Sequence, residues 1–177
     1  IDQLPHVELT REIARRFNFL YREVFPVPEP LLAHVPKLLG IDGRKMSKSY
    51  DNAIYLSDRG DVLKKKVEAM FTDPQRKTKK DPGDPEICNV FSFHRIYSSP
   101  AEVESIFRDC PAAQVGCVEC KKRLLARLEE KLAPMHERQD FYRSRPEDVQ
   151  AVIDDGNLRA RRIARVTMEE VRAAVMI

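Results

Sequence analysis

The ten residues Gly40-Ile41-Asp42-Gly43-Arg44-Lys45-Met46-Ser47-Lys48-Ser49 hold two glycines, two lysines three positions apart and two serines. Glycines let the backbone bend sharply, while exposed backbone N–H groups and small hydroxyls can hold phosphate oxygens. Two ammonium groups can neutralise charge developing on a leaving pyrophosphate. The set suits a triphosphate, and its competitor is a solvated basic loop, since short motifs often match by chance. It is not a Walker loop, because the order G-x-x-x-x-G-K-[ST] is missing. A second constellation is Cys88, Cys110, Cys117 and Cys120, separated by 21, 6 and 2 residues. Buried free thiols, a lone CxxC redox pair and a zinc site compete as readings. The polar run Gly116-Cys117-Val118-Glu119-Cys120-Lys121-Lys122 is a poor place to bury thiols, and a thioredoxin-like pair lacks its βαβ setting. Zinc usually shows two close ligand pairs, and only one is present; four thiolates at irregular spacing suit a [4Fe–4S] cluster and zinc about equally.

These groups need elements to position them. With 177 residues, 42% apolar and 33% charged, the chain can build one ordinary core or two small ones. A net charge of +3 means that nucleic-acid contact must come from local Lys and Arg clusters such as Arg76, Lys77, Lys79, Lys80, Lys121 and Lys122, for which a solvated surface competes. No apolar run spans a bilayer, and no basic-then-apolar start marks secretion, so a cytoplasmic location without membrane contact is expected. The chain starts at Ile1 inside what reads as a working motif, so the C-terminal part of a longer protein is expected.

Apolar spacing predicts a helix from Pro5 to Tyr21, then a break at Pro26, Pro28 and Pro30. Leu38 to Ile41 reads as a strand edge or a lead-in to the loop. A helix over 61–71 leaves Lys64, Lys65 and Lys66 in solvent, and Asp73 to Pro85 is the best linker. Everything beyond reads as helical. Ser99-Pro100-Ala101-Glu102 is a capping box, and Ser144-Arg145-Pro146-Glu147 repeats the signal. Val118, Leu125, Leu128, Leu132 and Met135 form one buried stripe, with Pro134 kinking or ending the helix. The last helix is expected to bury Val149, Val152, Ile153, Ile163, Val166 and Val171.

Lys45-Met46-Ser47-Lys48-Ser49 matches the signature loop of class I aminoacyl-tRNA synthetases at all five positions. Asp2-Gln3-Leu4-Pro5-His6-Val7-Glu8-Leu9-Thr10-Arg11 and the helix after it resemble the DQ motif of bacterial tryptophanyl-tRNA synthetases, and Gly43-Arg44, Ser49-Tyr50-Asp51-Asn52 and Phe71-Thr72-Asp73 are similar to that family. The resemblance covers the family's C-terminal portion, with the HIGH-like motif lying upstream of Ile1. It implies a mainly α chain: the tail of a Rossmann-type catalytic domain over 1–55, an α-helical anticodon-binding domain with a metal cluster over 56–143, and a terminal helix over 144–177 that returns to the catalytic part. The implied activity is ligation of tryptophan to tRNA(Trp) with ATP and Mg2+, in a homodimeric full-length enzyme, this portion alone being inactive; tyrosine, or a non-catalytic tRNA- or metal-binding helical module, is the alternative.

By the same resemblance Ile1 and Asp2 contact the ATP ribose, or Asp2 and Gln3 cap the first helix. Gln3 lies beside the amino-acid end of the adenylate, and Leu38 touches adenine through its backbone. Lys45 and Lys48 act on the pyrophosphate, with Met46, Ser47 and Ser49 completing the loop. Without its upstream partner the loop is expected to be flexible or displaced. A subset of the family carries [4Fe–4S] on a C-x22-C-x6-C-x2-C pattern, one residue longer in its first spacing than Cys88 to Cys110, a stretch read as containing a loop that absorbs the difference. Cys88, Cys110, Cys117 and Cys120 are then its ligands, zinc being the alternative.

Overall fold

Among the residues that the computed structural model describes, 3–32 and 38–176, there are six α-helices and no strand. The mainly α class is as expected. The chain divides into two compact units, residues 1–36 with 141–177, and residues 37–140. The phosphate loop lies in the second of these units.

In the first unit, α1 (Leu4–Leu20) starts with Pro5 in its first turn, where a missing N–H costs nothing. The turn after it is locked by Asn18, whose Oδ1 accepts from the amides of Val24 and Phe25 while its Nδ2 donates to the Phe25 carbonyl at 2.7 Å. Phe17 packs on Tyr21 and Phe25. α6 (Pro146–Val175) is amphipathic but buries no residue, and Ile163 stays 70% exposed, so the expected burial of its apolar face is not found within this unit. Its start also differs from expectation. Arg145 is the N-cap and Ser144 bonds back to the Phe141 carbonyl, because here serine stands two residues before the proline and not one.

In the second unit, α2 (Gly60–Ala69), α3 (Asn89–Tyr97), α4 (Pro100–Asp109) and α5 (Cys117–Arg143, which runs on past the unit's end) surround one core. Its members include Leu63, Val67, Met70, Phe91, Phe93, Ile106, Leu124, Leu128 and Leu132. α4 has the expected cap, the Ser99 hydroxyl accepting from the Glu102 amide, but the Glu102 carboxylate turns to Arg127 instead of closing the box. The buried stripe of α5 is Cys120, Leu124, Leu128 and Leu132; Val118 and Met135 point to solvent, 70% and 43% exposed. α5 also runs unbroken through Pro134. Packing of Leu128 and Leu132 on one side, and the grip of Arg59 on Gln139 and Asp140 on the other, hold the turns flanking the missing amide.

Two further expectations are corrected. Lys66 is not solvated: its Nζ meets Asp58 at 2.6 Å, donates to the Ala53 carbonyl and lies over the Tyr55 ring. Residues 73–85 do not separate domains but fall inside the second unit, where the buried Asp73 carboxylate accepts from the amides of Gln75 and Asp84 and folds the segment on itself.

Candidate functional site

The phosphate loop is built around one side chain. Asn52 is 1% exposed; its Oδ1 accepts from the Ser47 amide at 2.8 Å, and its Nδ2 donates to the Lys45 carbonyl and to Asp42 Oδ1. Around this strut an isolated bridge joins Leu39 to Lys45, and the tight turn between them puts Gly43 at φ +79°, in the left-handed region that favours glycine. Asp42 closes the turn on the Arg44 amide, which, with the Asn52 and Arg44 side chains, holds its carboxyl down at about 2. Ser47 and Ser49 share a hydroxyl–hydroxyl bond of 2.8 Å, and the Ser47 hydroxyl caps a short 3₁₀ turn over Lys48–Tyr50. Asp51 ends that turn in the left-handed region.

The loop is anchored to the helices by the Phe71 amide, which donates to the Ile41 carbonyl, and by Asn89 at the start of α3, which donates to the Gly40 carbonyl at 2.7 Å. Lys45, Lys48 and Ser49 are exposed, whereas Met46 packs against the core. The expectation of a loose or displaced loop thus meets an internally braced one, since its bracing partners Asp42, Asn52, Phe71 and Asn89 all belong to the same unit.

The four cysteines come together. Cys88 is the N-cap of α3, Cys110 the C-cap of α4, and Cys117 and Cys120 occupy the first turn of α5. All four line one small cavity of about 20 Å³, with Thr72 and Arg76. Burial pushes the Cys88, Cys110 and Cys120 thiols up, Cys120 to about 12, and the neighbouring sulfurs add to the rise. The amides of Phe91, Val90 and Asp73 oppose it at Cys88, and Arg76 opposes it at Cys110. Four soft donors on one small cavity, three of them at helix N-termini, form a donor set suited to thiolate ligation. They are not drawn in to the geometry of a single ion: among the described residues no group of three or more His, Cys, Asp or Glu is set to hold one. Between Cys88 and Cys110 the chain is helical except for Ser98 and Ser99, so the expected length-absorbing loop is only a two-residue joint.

The sequence profile of the family described as tRNA synthetases class I (W and Y) matches residues 1–133. The chain belongs to that family. Among tryptophan–tRNA ligases, the chain is 53% identical to that of Aquifex aeolicus over 175 residues, covering 98% of the chain and 44% of the relative. It is 49% identical to that of Thermotoga maritima, covering 53% of it. The tryptophanyl-tRNA synthetase of Campylobacter jejuni, solved with ADP and tryptophan, aligns with 99% of this chain and 55% of its own, at 27% identity and a TM-score of 0.77. The chain thus spans about half the length of the curated relatives it matches.

Of the synthetase positions named from sequence, Ile1 and Asp2 lie outside the described residues. Gln3 is the N-cap of α1, its carbonyl accepting from the His6 and Val7 amides while its side chain makes no cap bond. Leu38 packs against the core of the second unit, next to the loop. Lys45, Met46, Ser47, Lys48 and Ser49 form the loop itself. Sequence reasoning gave no role to Asn52, although a buried amide beside a hydroxyl-rich turn is a natural strut. It missed Asn89 as well, and read Arg76 only as a candidate nucleic-acid contact; their contacts lie 49 and 34 residues away.

Proposed function

We propose that this chain is part of a ligase that activates tryptophan with ATP and transfers it to tRNA(Trp). The observation that carries the reading is the braced loop presenting Lys45 and Lys48 beside two linked serines, in a chain of this family with tryptophan–tRNA ligases among its relatives. In the first step the tryptophan carboxylate attacks the α-phosphorus of ATP and pyrophosphate leaves. A carboxylate is already ionised, so no general base is required, and the work is positioning and charge stabilisation. Lys45 and Lys48 neutralise the pyrophosphate; the Ser47 and Ser49 hydroxyls and loop amides bind its oxygens, with Met46 seating the loop on the core. Ile1 and Asp2 hold the ribose, the Leu38 backbone meets adenine, and Gln3 lies beside the adenylate. Residues 1–55 then serve catalysis, 56–143 tRNA binding, and 144–177 return to the catalytic part.

In the protein carrying this chain over its relatives' whole length, Lys45→Ala or Lys48→Ala should abolish tryptophan-dependent ATP–pyrophosphate exchange. Unchanged exchange would instead favour a non-catalytic tRNA-binding module, and exchange with tyrosine alone the other branch of the family.

Cys88, Cys110, Cys117 and Cys120 hold a [4Fe–4S] cluster in this reading. Its support is the convergence of all four thiols on one cavity, a soft-donor set that suits such a cluster. Bound there, the group would cross-link the ends of α3, α4 and α5 and supply a one-electron couple. Protein purified without oxygen should be brown, with iron and sulfide in equal amounts; colourless protein with stoichiometric zinc refutes the cluster.

A further inference from the structure

We infer that Arg76 is the cationic positioning residue of the four-cysteine site, donating hydrogen bonds to its sulfur shell and raising the reduction potential of the cluster held there. This rests on the cluster reading above. Arg76 lines the cysteine cavity and its Nη1 lies 3.5 Å from Cys110 Sγ. Its Nε is buried with no hydrogen-bond partner, so one N–H of the fork is committed to nothing in the protein. A buried donor left unmatched is destabilising, and an acceptor such as a thiolate or sulfide would remove that cost. The fork is fixed from the other side, where Nη2 donates to the Lys79 carbonyl at 3.1 Å.

Gly83 completes the cradle. A Cβ there would stand 2.7 Å from Cys110 Sγ and 3.0 Å from Arg76 Cδ, so only glycine lets the backbone pass against both. The Gly83 amide bonds to the Cys110 carbonyl, which fixes that close approach. Among other cations near these cysteines, Lys121 directs its Nζ to the Glu68 carbonyl and Arg123 directs its Nε to Glu119. Arg76 is thus the guanidinium in direct contact with a cysteine sulfur. Four thiolates give the site a net negative charge and reduction adds another; a fixed, partly desolvated positive charge favours the reduced form.

The test uses the 177-residue chain reconstituted without oxygen with iron and sulfide, as wild type, Arg76→Gln and Arg76→Lys. Iron and sulfide content, helical circular dichroism and a redox titration followed by electron paramagnetic resonance are read on each. Arg76→Gln should lower the reduced-to-oxidised ratio at a fixed potential about tenfold, a drop of about 59 mV for one electron. Arg76→Lys, which keeps the charge and loses the fork, should fall between. A cluster whose potential is unmoved in Arg76→Gln overturns the inference even if less cluster is retained, because a mere brace would change occupancy and not potential. Should Arg76→Gln hold no cluster, Arg76→Lys decides: a lowered potential supports the inference and an unchanged one overturns it. A wild-type chain that takes up zinc and no iron overturns the cluster reading and this inference with it.

Discussion

Replacing Asn52 with alanine isolates what holds the phosphate loop. The substitution removes the acceptor of the Ser47 amide and the donor to the Lys45 carbonyl, in a position that is 1% exposed and where water cannot simply take their place. Each such hydrogen bond contributes about 1 kcal/mol net, and groups left unmatched cost somewhat more, so the two backbone bonds amount to about 2–3 kcal/mol of local stability. At about 1.4 kcal/mol per factor of ten, the open population of the loop should rise about 30- to 100-fold. Hydrogen exchange at the Ser47 and Gly40 amides reads this directly, the Gly40 amide being bonded to the Arg44 carbonyl across the same turn. Both should exchange 30- to 100-fold faster, while amides in α5 keep their protection, because α5 takes its stability from the helical core. Unchanged exchange at Ser47 would refute the assignment of Asn52 as the strut; equal acceleration in α5 would show that it braces the whole unit instead.

A methyl group at Gly40 would fall 2.3 Å from the Asn52 carboxamide, which three hydrogen bonds prevent from moving, so Gly40→Ala should destabilise the loop by exchange at least as much as Asn52→Ala. Combined with Asn52→Ala, its added effect should nearly vanish, a strongly non-additive double-mutant cycle. The folded Asp42 carboxyl sits at about 2, below the ordinary value near 3.9, so its contribution is complete above about pH 4 and is lost as pH falls towards 2; a carbon-detected titration of Asp42 with loop-amide exchange from pH 5 to 2 checks this. Leu128→Ala, at a fully buried core position, should cost about 2–5 kcal/mol in denaturant unfolding. Lys66→Met should cost about 1–3 kcal/mol by leaving the buried Asp58 carboxylate without its cation, and Asp58→Asn with Lys66→Met should recover part of it.

Much of this architecture was legible from spacing alone. Proline at a first turn, serine before proline, and leucines at intervals of three and four marked α1, α4 and α5 because these signals act within a turn or two of chain. What escaped were interactions between distant segments. Lys66 reads as a solvated lysine in a run of three, and only the fold brings Asp58, Ala53 and the Tyr55 ring around it. Asp73 to Pro85 carries every mark of a linker, yet a buried aspartate folds it into a compact loop. The apolar residues of α6 show the reverse: an amphipathic period reports a face able to be buried, not one that its own unit covers. Motif residues Lys45 to Ser49 stood out because their chemistry is unusual in type, whereas Asn52, Asn89 and Arg76 matter through geometry that no local pattern encodes.

Helix α5 is tied to α2 at two places: Lys121 reaches the Glu68 carbonyl near the end of α2, and Asp140 grips Arg59 at its start. Along α5 the 19 steps from Lys121 to Asp140 measure out about 28 Å. That span behaves as a ruler. One residue inserted between the two ties would rotate everything beyond it by about 100° and turn Asp140 away from Arg59 while leaving Lys121 in place. Tolerance of insertions and deletions should therefore be uneven along this chain: low within 121–140, where length itself is the specification, and higher at the exposed turn of 77–80, whose contacts are made over a few residues.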